Sequence, residues 1–220
     1  MKTLKKTYSK NNNEITLIEQ RRAGLLSRRH KTILIIGVVH GDEPQGKFLI
    51  ENYMSLRGVV FTGRRGNPKK QLLFIPCLNP DGLAAGTREN ANEVDLNRNF
   101  PTKNHPSRLT PHASCFTPEA ETQFIIDIIE EFKPDIILTL HAPYKVVNYD
   151  GPAEKIAQNI SDIIGYPTSN DIGYPTPGSL GTYAGVERNI PIITLELDEE
   201  IDVKELISPV NKIFDYLAEL

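Results

Sequence analysis

TILIIGVVHGDEPQG, residues 32–46, contains the transition that sets the fold. The residues before His40 are nearly all β-branched or apolar, which is typical of a strand buried on both faces of a sheet. Pro44 is placed to open a helix directly after the strand. A buried strand followed at once by a helix predicts an α/β fold. It also predicts that His40 and Glu43 lie at the carboxyl edge of the sheet.

The same alternation of strand and helix continues along the chain. Further strands are predicted at Glu14–Ile18, Gln71–Leu78, Asp135–Leu140 and Pro191–Leu197. Helices are predicted from Pro44 to about Leu56 with Gly58 beyond the end, from Thr117 to about Phe132, from Pro152 to Ile164, and from Asp202 to about Leu220. This order predicts a single α/β domain over residues 1–220. Its sheet would be twisted and mixed but mostly parallel, with helices on both faces.

The composition narrows the class of protein. The 220 residues have a formal net charge of −3, which offers no general attraction for nucleic acid or an anionic membrane. No apolar run is long enough to span a membrane, and the N-terminus lacks the apolar centre of a secretory signal, so we expect a cytoplasmic protein. Cys77 and Cys115 could pair, but we expect reduced thiols. Residues 1–13 are rich in Lys and Asn, so we expect a flexible basic end.

Two irregular stretches separate the predicted elements. The first runs from Leu78 to Thr117 and is rich in Asn, Asp, Arg and Gly, and the second runs from Tyr166 to Gly181 with several Pro and Gly. A compact domain seldom keeps connections this long without a functional reason. Since sites in open parallel sheets form outside the carboxyl ends of the strands, both stretches are candidates to border a site there.

Three predicted strand ends carry ionisable side chains: His40 with Glu43, then His141, then Glu196. Two neutral imidazoles and one carboxylate form a ligand set for zinc that leaves a fourth position for water. A hydrogen-bonded core histidine is the alternative for His141. Glu196 lies inside the apolar run IITLEL, where a carboxylate is costly unless it is paired. It is either the partner of an arginine or a general base beside the metal.

Several short motifs occur in an order that resembles the zinc metallocarboxypeptidase family. They are HGDE at 40–43, NPDG at 79–82 with Arg88 after it, DLNRNFP at 95–101, LHAP at 140–143 and TLEL at 194–197. Within that family, NPDGLAAGTRENANEVDLNRNFP at 79–101 and GYPTPGSLGTYAG at 173–185 look most like the bacterial murein peptide amidases. The resemblance covers roughly positions 33–198 and implies a zinc-carboxypeptidase-like fold.

The resemblance also implies roles for the residues that match the motifs. The ligands of one zinc ion would be His40, Glu43 and His141. Glu196 would be the general base and then the proton donor to the leaving amine. Arg88 would stabilise the oxyanion that forms when water adds to the carbonyl, a role that requires a positive charge fixed in advance.

Three more residues of the loop are given roles by the resemblance. Asn97 and Arg98 would bind the free carboxylate of the substrate, because a guanidinium offers a forked pair of donors. Asp95 would accept a hydrogen bond from His40 and orient its ring. The alternatives are that the loop arginines are surface residues and that Asn79 and Asp81 only shape the turn that NPDG requires.

One position departs from the family pattern, and one residue of that pattern has more than one candidate in this sequence. Asp42 stands inside the H-x-x-E turn where the carboxypeptidases often have an arginine, so the neighbouring substrate subsite should be less positive. The digestive enzymes also have a mobile, substrate-binding tyrosine upstream of the general base. Tyr174 is the candidate, with Tyr166 and Tyr183 as alternatives, and ordinary loop packing is the competing explanation for all three.

The resemblance implies a zinc amidase that cuts the bond between γ-D-glutamate and meso-diaminopimelate in small murein peptides released for recycling. The alternatives are a zinc carboxypeptidase and an N-acyl amino acid deacylase of the aspartoacylase and desuccinylase type. NPDG followed by Arg88 favours the peptidases. A zinc-binding protein without activity is disfavoured, because such a protein would not require Glu196.

Overall fold

The structure, a computed structural model, describes residues 1–20, 31–60, 70–106 and 117–220. Its strands are β1 (Lys2–Tyr8), β2 (Glu14–Gln20), β3 (Thr32–Gly37), β4 (Gln71–Ile75), β5 (Ile136–His141), β6 (Val146–Asp150), β7 (Thr168–Ser169) and β8 (Ile192–Glu196). Within these residues they form one eight-stranded sheet in the order β1-β2-β4-β3-β5-β8-β6-β7. The predicted α/β class and its mixed sheet are therefore confirmed.

The centre of the sheet is parallel and its flanks are antiparallel. Strands β4, β3, β5 and β8 run in one direction. On one side β2 joins β4 in the opposite direction and β1 pairs with β2, and on the other side β6 is antiparallel to β8. The carboxyl ends of the four central strands consequently meet at one edge.

Helices cover both faces of the sheet. They are α1 (Gln45–Val60), α2 (Pro80–Ala85), α3 (Ala120–Phe132), α4 (Glu154–Ile164) and α5 (Ile207–Glu219), with short helical turns at Leu96–Arg98, Gly181–Val186 and Val203–Leu206. Ile33 and Ile35 of β3 pack in a core with α1, α4 and α5, whereas Leu34 and Ile36 pack in a second core with α3. Alternate side chains of one strand thus fill two cores, as a strand buried on both faces requires.

The N-terminal segment was predicted incorrectly as a flexible basic end. Residues 2–8 form β1, which pairs with β2, and Leu4 packs against the core that contains α3. The sequence of this strand does not show the alternation of apolar and polar residues that predicts a strand, because it consists mostly of Lys and Thr and Leu4 is its only aliphatic residue. Its backbone partners are supplied by β2, and a reading of the segment alone cannot provide them.

Other boundaries also differ from the prediction. Helix α1 continues through Gly58 to Val60, and α3 begins at Ala120, not at Thr117. Strands β6 and β7 were not predicted. Burial raises the pKa of the free Cys77 thiol to about 11, and Cys115 lies outside the described residues. In the described ranges, no helix combines the length and apolarity needed to cross a membrane.

Candidate metal and hydrolytic site

The predicted ionisable residues meet at the carboxyl edge of the parallel strands. His40 follows β3, His141 is the last residue of β5, and Glu196 is the last residue of β8. The three strands are neighbours, and His141 stands directly opposite Glu196 in their register. Glu43 joins them from the turn that precedes α1. All four side chains are buried, with at most 7 % of each residue exposed.

His40, Glu43 and His141 form a group whose geometry fits zinc. The Nδ1 atoms of the two histidines are 3.2 Å apart. One carboxylate oxygen of Glu43 lies 2.8 Å from His40 Nδ1, and the other lies 2.8 Å from His141 Nδ1. Tetrahedral ligands at about 2.1 Å from zinc are about 3.4 Å from one another. The two imidazole nitrogens and the carboxylate lie close enough together to hold such an ion.

The other nitrogen of His40 is held by Asp95. His40 Nε2 lies 3.2 Å from Asp95 Oδ1, and Arg88 Nε donates to Asp95 Oδ2 at 3.1 Å. Burial alone would raise the pKa of Asp95, but the hydrogen bond to His40 and the charge of Arg88 outweigh it and hold the pKa well below its usual range. An ionised carboxylate here fixes the imidazole so that Nδ1 faces the proposed ligand group.

The environments of Glu43 and Glu196 move their pKa values in opposite directions. Burial would raise the pKa of Glu43, yet the two histidines lower it to about 2. The pKa of Glu196 is raised, chiefly by burial and then by the negative charge of Glu43, against the effect of His141. Its Oε2 atom is buried and accepts no hydrogen bond from any described residue. No arginine pairs with it in the described chain, so Glu196 is suited to exchange a proton with a bound molecule.

The loop residues line the same cleft as this group. Arg88 Nη1 lies 3.5 Å from Glu43 Oε1, so its guanidinium borders the metal group. Asn97 Oδ1 accepts from the backbone N–H of Leu180 at 3.0 Å, which ties the loop to the second irregular stretch. Arg98 Nη1 donates to the carbonyl of Asn97 at 2.7 Å. The arginines predicted from the sequence therefore face the cleft, as do the side chains of the proposed zinc ligands.

The three candidate tyrosines have different surroundings. Tyr174 is 43 % exposed and lines the cleft, with its ring 6.0 Å from the guanidinium carbon of Arg98. Tyr183 is 1 % exposed and packs against Phe100. Tyr166 is partly buried and packs against the core that contains α4 and α5. Of these three described tyrosines, only Tyr174 borders the cleft.

Asp150 is a cleft residue that was not identified from the sequence. It ends β6, and its carboxyl group is aimed at Gly181: a Cβ atom placed on Gly181 would lie 2.3 Å from Asp150 Oδ2. Burial raises its pKa, and no Lys or Arg in the described chain forms an ion pair with it. Asn148, two residues earlier on β6, and Thr194, which pairs with Asn148 from β8, also line the cleft. Polar residues alternating in VVNYD were the available signal.

Comparisons with known proteins agree with this geometry. The sequence profile of the zinc carboxypeptidases, peptidase family M14, matches residues 1–155. Murein peptide amidase A of Vibrio campbellii is 30% identical over 228 aligned positions, which cover 86% of this chain and 88% of that protein. The crystal structure of murein-tripeptide amidase MpaA from Escherichia coli O157 has a TM-score of 0.75 at 25% identity, covering 97% of this chain and 90% of that one. Thrombin activatable fibrinolysis inhibitor, at 14% identity and a TM-score of 0.76 over 98% of this chain and 69% of that one, shares the fold.

Proposed function

This chain belongs to the zinc carboxypeptidase family, and from that premise we propose that it hydrolyses the amide bond between γ-D-glutamate and meso-diaminopimelate in murein peptides. The chain is a zinc metallopeptidase by family, and the murein substrate is the part we propose. The observation that carries it is that Asp150, whose carboxyl group forms no ion pair with a Lys or Arg of the described residues, lines the same cleft as Arg98. A role in cell-wall recycling in the cytoplasm follows from the same substrate.

The proposed zinc ligands are His40, Glu43 and His141, with Asp95 orienting His40. Zinc held there would supply a Lewis acid that activates water and polarises the carbonyl of the scissile bond. The protein contributes a buried and prearranged set of three donors that lines the cleft.

Glu196 is proposed as the general base and acid. Its raised pKa and its unpartnered Oε2 atom suit a group that first accepts a proton from the attacking water and then donates it to the leaving amine. Arg88 is proposed to stabilise the oxyanion, since its guanidinium is fixed by Asp95 beside Glu43 before the substrate arrives.

The leaving residue is proposed to bind between two charged residues that line the cleft, Arg98 and Asp150. Arg98 and the amide group of Asn97 would hold its free α-carboxylate. Asp150 would attract an ammonium group on its side chain, because a partly buried carboxylate without a counterion is stabilised by a cation that enters with the ligand. The side chain of meso-diaminopimelate ends in an ammonium group and a carboxylate on the same carbon, and Asp150 would pair with the ammonium group.

A second candidate follows from the same carboxylate. A carboxypeptidase that removes C-terminal lysine or arginine would also place a cation near Asp150. The two candidates differ on the other side of the scissile bond, where the murein peptide has a γ-linked D-glutamate and a protein substrate has an α-linked L-residue.

The test is to incubate the zinc-loaded protein with L-Ala-γ-D-Glu-meso-diaminopimelate, with α-linked peptides ending in Lys, Arg or Leu, and with N-acyl amino acids. We expect rapid cleavage of the murein tripeptide alone. Preferential cleavage of peptides ending in Lys or Arg would favour the carboxypeptidase, and cleavage of only the N-acyl amino acids would contradict both peptidase proposals. Glu196→Gln protein serves as the control for contaminating activity.

The role of Asp150 is tested by changing the leaving residue. Asp150→Asn should lower kcat/KM for the tripeptide ending in meso-diaminopimelate by about 10- to 100-fold, the effect of losing a hydrogen bond to a charged group. A tripeptide that ends in norleucine has no ammonium group on its side chain. Its kcat/KM should therefore fall much less in the same variant. Equal losses on both substrates would remove Asp150 from this role.

A further inference from the structure

Asp81 of the NPDG motif is a buried carboxylate with no part in the proposed chemistry. It lies in α2 and accepts hydrogen bonds from Ser9 Oγ at 2.7 Å, from Asn13 Nδ2 at 2.7 Å and from the backbone N–H of Asn11 at 3.0 Å. All three donors belong to the turn that joins β1 to β2, residues 9–13. Asp81 therefore fastens the N-terminal hairpin to α2.

The other side of α2 contacts the candidate active site. Asn79 caps the helix by accepting from the Gly82 N–H at 2.9 Å, and its amide group donates to the carbonyl oxygen of Arg88 at 3.3 Å. The same carbonyl accepts from the N–H of Gly41, next to His40, at 3.3 Å. A Cβ atom on Gly41 would lie 2.0 Å from the carbonyl carbon of Gly82, so these two backbones are in direct contact.

The hairpin turn also reaches the loop 88–95 directly. Lys10 Nζ donates to the carbonyl oxygen of Ala91 at 3.2 Å. Within the loop, the N–H of Asn90 donates to the carbonyl oxygen of Val94 at 3.0 Å, which closes a compact turn between Arg88 and Asp95. The hairpin, α2 and this loop are thus connected by hydrogen bonds up to the ion pair of Arg88 with Asp95.

We propose that Asp81 is a positioning residue that acts through α2 and the hairpin turn to hold Arg88 in its place beside the metal group. This inference rests on the proposed function, because it presupposes that Arg88 stabilises the oxyanion. Catalytic groups must be held within about 0.5 Å of their working position, and the supporting hydrogen bonds of their neighbours provide that precision. Asp81 provides it at a distance, by joining segments that are far apart in the sequence.

The experiment compares Asp81→Asn with Arg88→Ala and with the double variant, using the murein tripeptide. Asn keeps the size of Asp81 but replaces one acceptor oxygen by a donor, so at least one of the three hydrogen bonds is lost. We expect kcat to fall about 10- to 100-fold, as for a small displacement of a catalytic group, with little change in KM and none in zinc content. In the Arg88→Ala background the same substitution should lower kcat no further, because the residue through which it acts is absent.

A control variant and amide hydrogen exchange separate a general loss of stability from a local effect on the loop 88–95. Lys6→Ala in β1, which removes an ion pair with Glu14 in the same hairpin, is the matched control and should leave kcat unchanged. Amide hydrogen exchange at Asn90 and Val94 should accelerate in Asp81→Asn, while exchange in β4 stays constant. If Asp81→Asn fails to fold, Asn13→Ala removes a single donor to Asp81 and enters the same double-variant comparison.

The outcomes separate this inference from the proposed function. Normal kcat in Arg88→Ala would contradict the oxyanion role itself, and the inference would fail with it. A low kcat in Arg88→Ala, together with normal kcat in Asp81→Asn, would overturn the inference alone. So would effects that multiply in the double variant, since they would show that Asp81 acts independently of Arg88.

Discussion

Two groups of side chains line the cleft, and they are held there in different ways. His141 and Glu196 are the paired last residues of neighbouring parallel strands, and His40 follows the end of β3, the strand on the other side of β5. Arg88 and Arg98 stand on an irregular loop and are fixed by side-chain hydrogen bonds. The strand-end group is buried, whereas the Arg88 side chain is 37 % exposed. The residues that we propose for proton transfer and metal binding thus lie at the sheet edge, and those that we propose for contacts with the substrate lie on the loop.

The largest effect should come from removing a strand-end ligand. In His40→Ala we expect the zinc content to fall from about one ion per chain to a small fraction of that, and hydrolysis to fall to background, because only two protein ligands remain. Metal analysis after dialysis measures the change directly. Full zinc content in this variant would contradict the ligand role of His40, whatever its activity.

Glu196→Gln should abolish turnover almost as completely while leaving the metal in place. Loss of the proton-transfer group should lower kcat by about 10²- to 10⁴-fold, and Gln fills the same space without an ionisable group. Zinc content and the thermal unfolding midpoint are the controls. A variant that keeps more than a tenth of wild-type kcat would exclude Glu196 as the general base.

The variant Arg98→Ala tests the arginines on the loop. It should raise KM more than it lowers kcat. Losing a hydrogen bond to a charged group costs about 1.5–3 kcal/mol, which corresponds to about a 10- to 100-fold increase in KM for substrates with a free α-carboxylate. The matched substrate is the same peptide with its terminal carboxylate converted to an amide. A similar loss on both substrates would show that Arg98 does not bind this group.

Tyr174→Phe should have the smallest effect. Tyr174 is partly exposed and its hydroxyl group lies near that of Tyr144, so it is not held as firmly as the buried residues. We expect kcat/KM to fall less than about tenfold, the scale of one neutral hydrogen bond. Tyr183→Phe is the control at a tyrosine packed away from the cleft. A loss as large as that of Glu196→Gln would place Tyr174 in the proton-transfer chemistry.

The strand-end group could be predicted because its position depends on short-range rules. A buried run ending in His40 or in Glu196 identifies a strand and its carboxyl edge, and parallel pairing brings such edges together. The loop residues required the resemblance to a family, since nothing local to Arg88 or Asp95 indicates that the two side chains pair. Their pairing is a side-chain hydrogen bond formed across the irregular loop, and we propose that α2 and the turn between β1 and β2 support it.

Asp150 could not be identified as a cleft residue from the sequence, for a different reason. Its carboxyl group reaches the cleft because β6 returns antiparallel beside β8 and because Gly181 lacks a side chain. Both conditions lie far from Asp150 along the chain. The contacts of Asp81 could not be predicted either. NPDG was interpreted as a turn, and the groups that donate hydrogen bonds to the Asp81 carboxylate belong to a segment that was predicted to be flexible.

The outermost strand, β1, has a consequence for how the protein behaves at high concentration. An outer strand presents unpaired backbone groups on which a strand of another molecule could add. The pairing of β1 with β2 shifts register between Thr3 and Lys5, and Lys5 and Lys6 form ion pairs with Glu131 and Glu14, so the outer ladder is irregular and bordered by charged side chains. A strand of another molecule would align poorly with this ladder and would meet charged side chains, which disfavours self-association through β1.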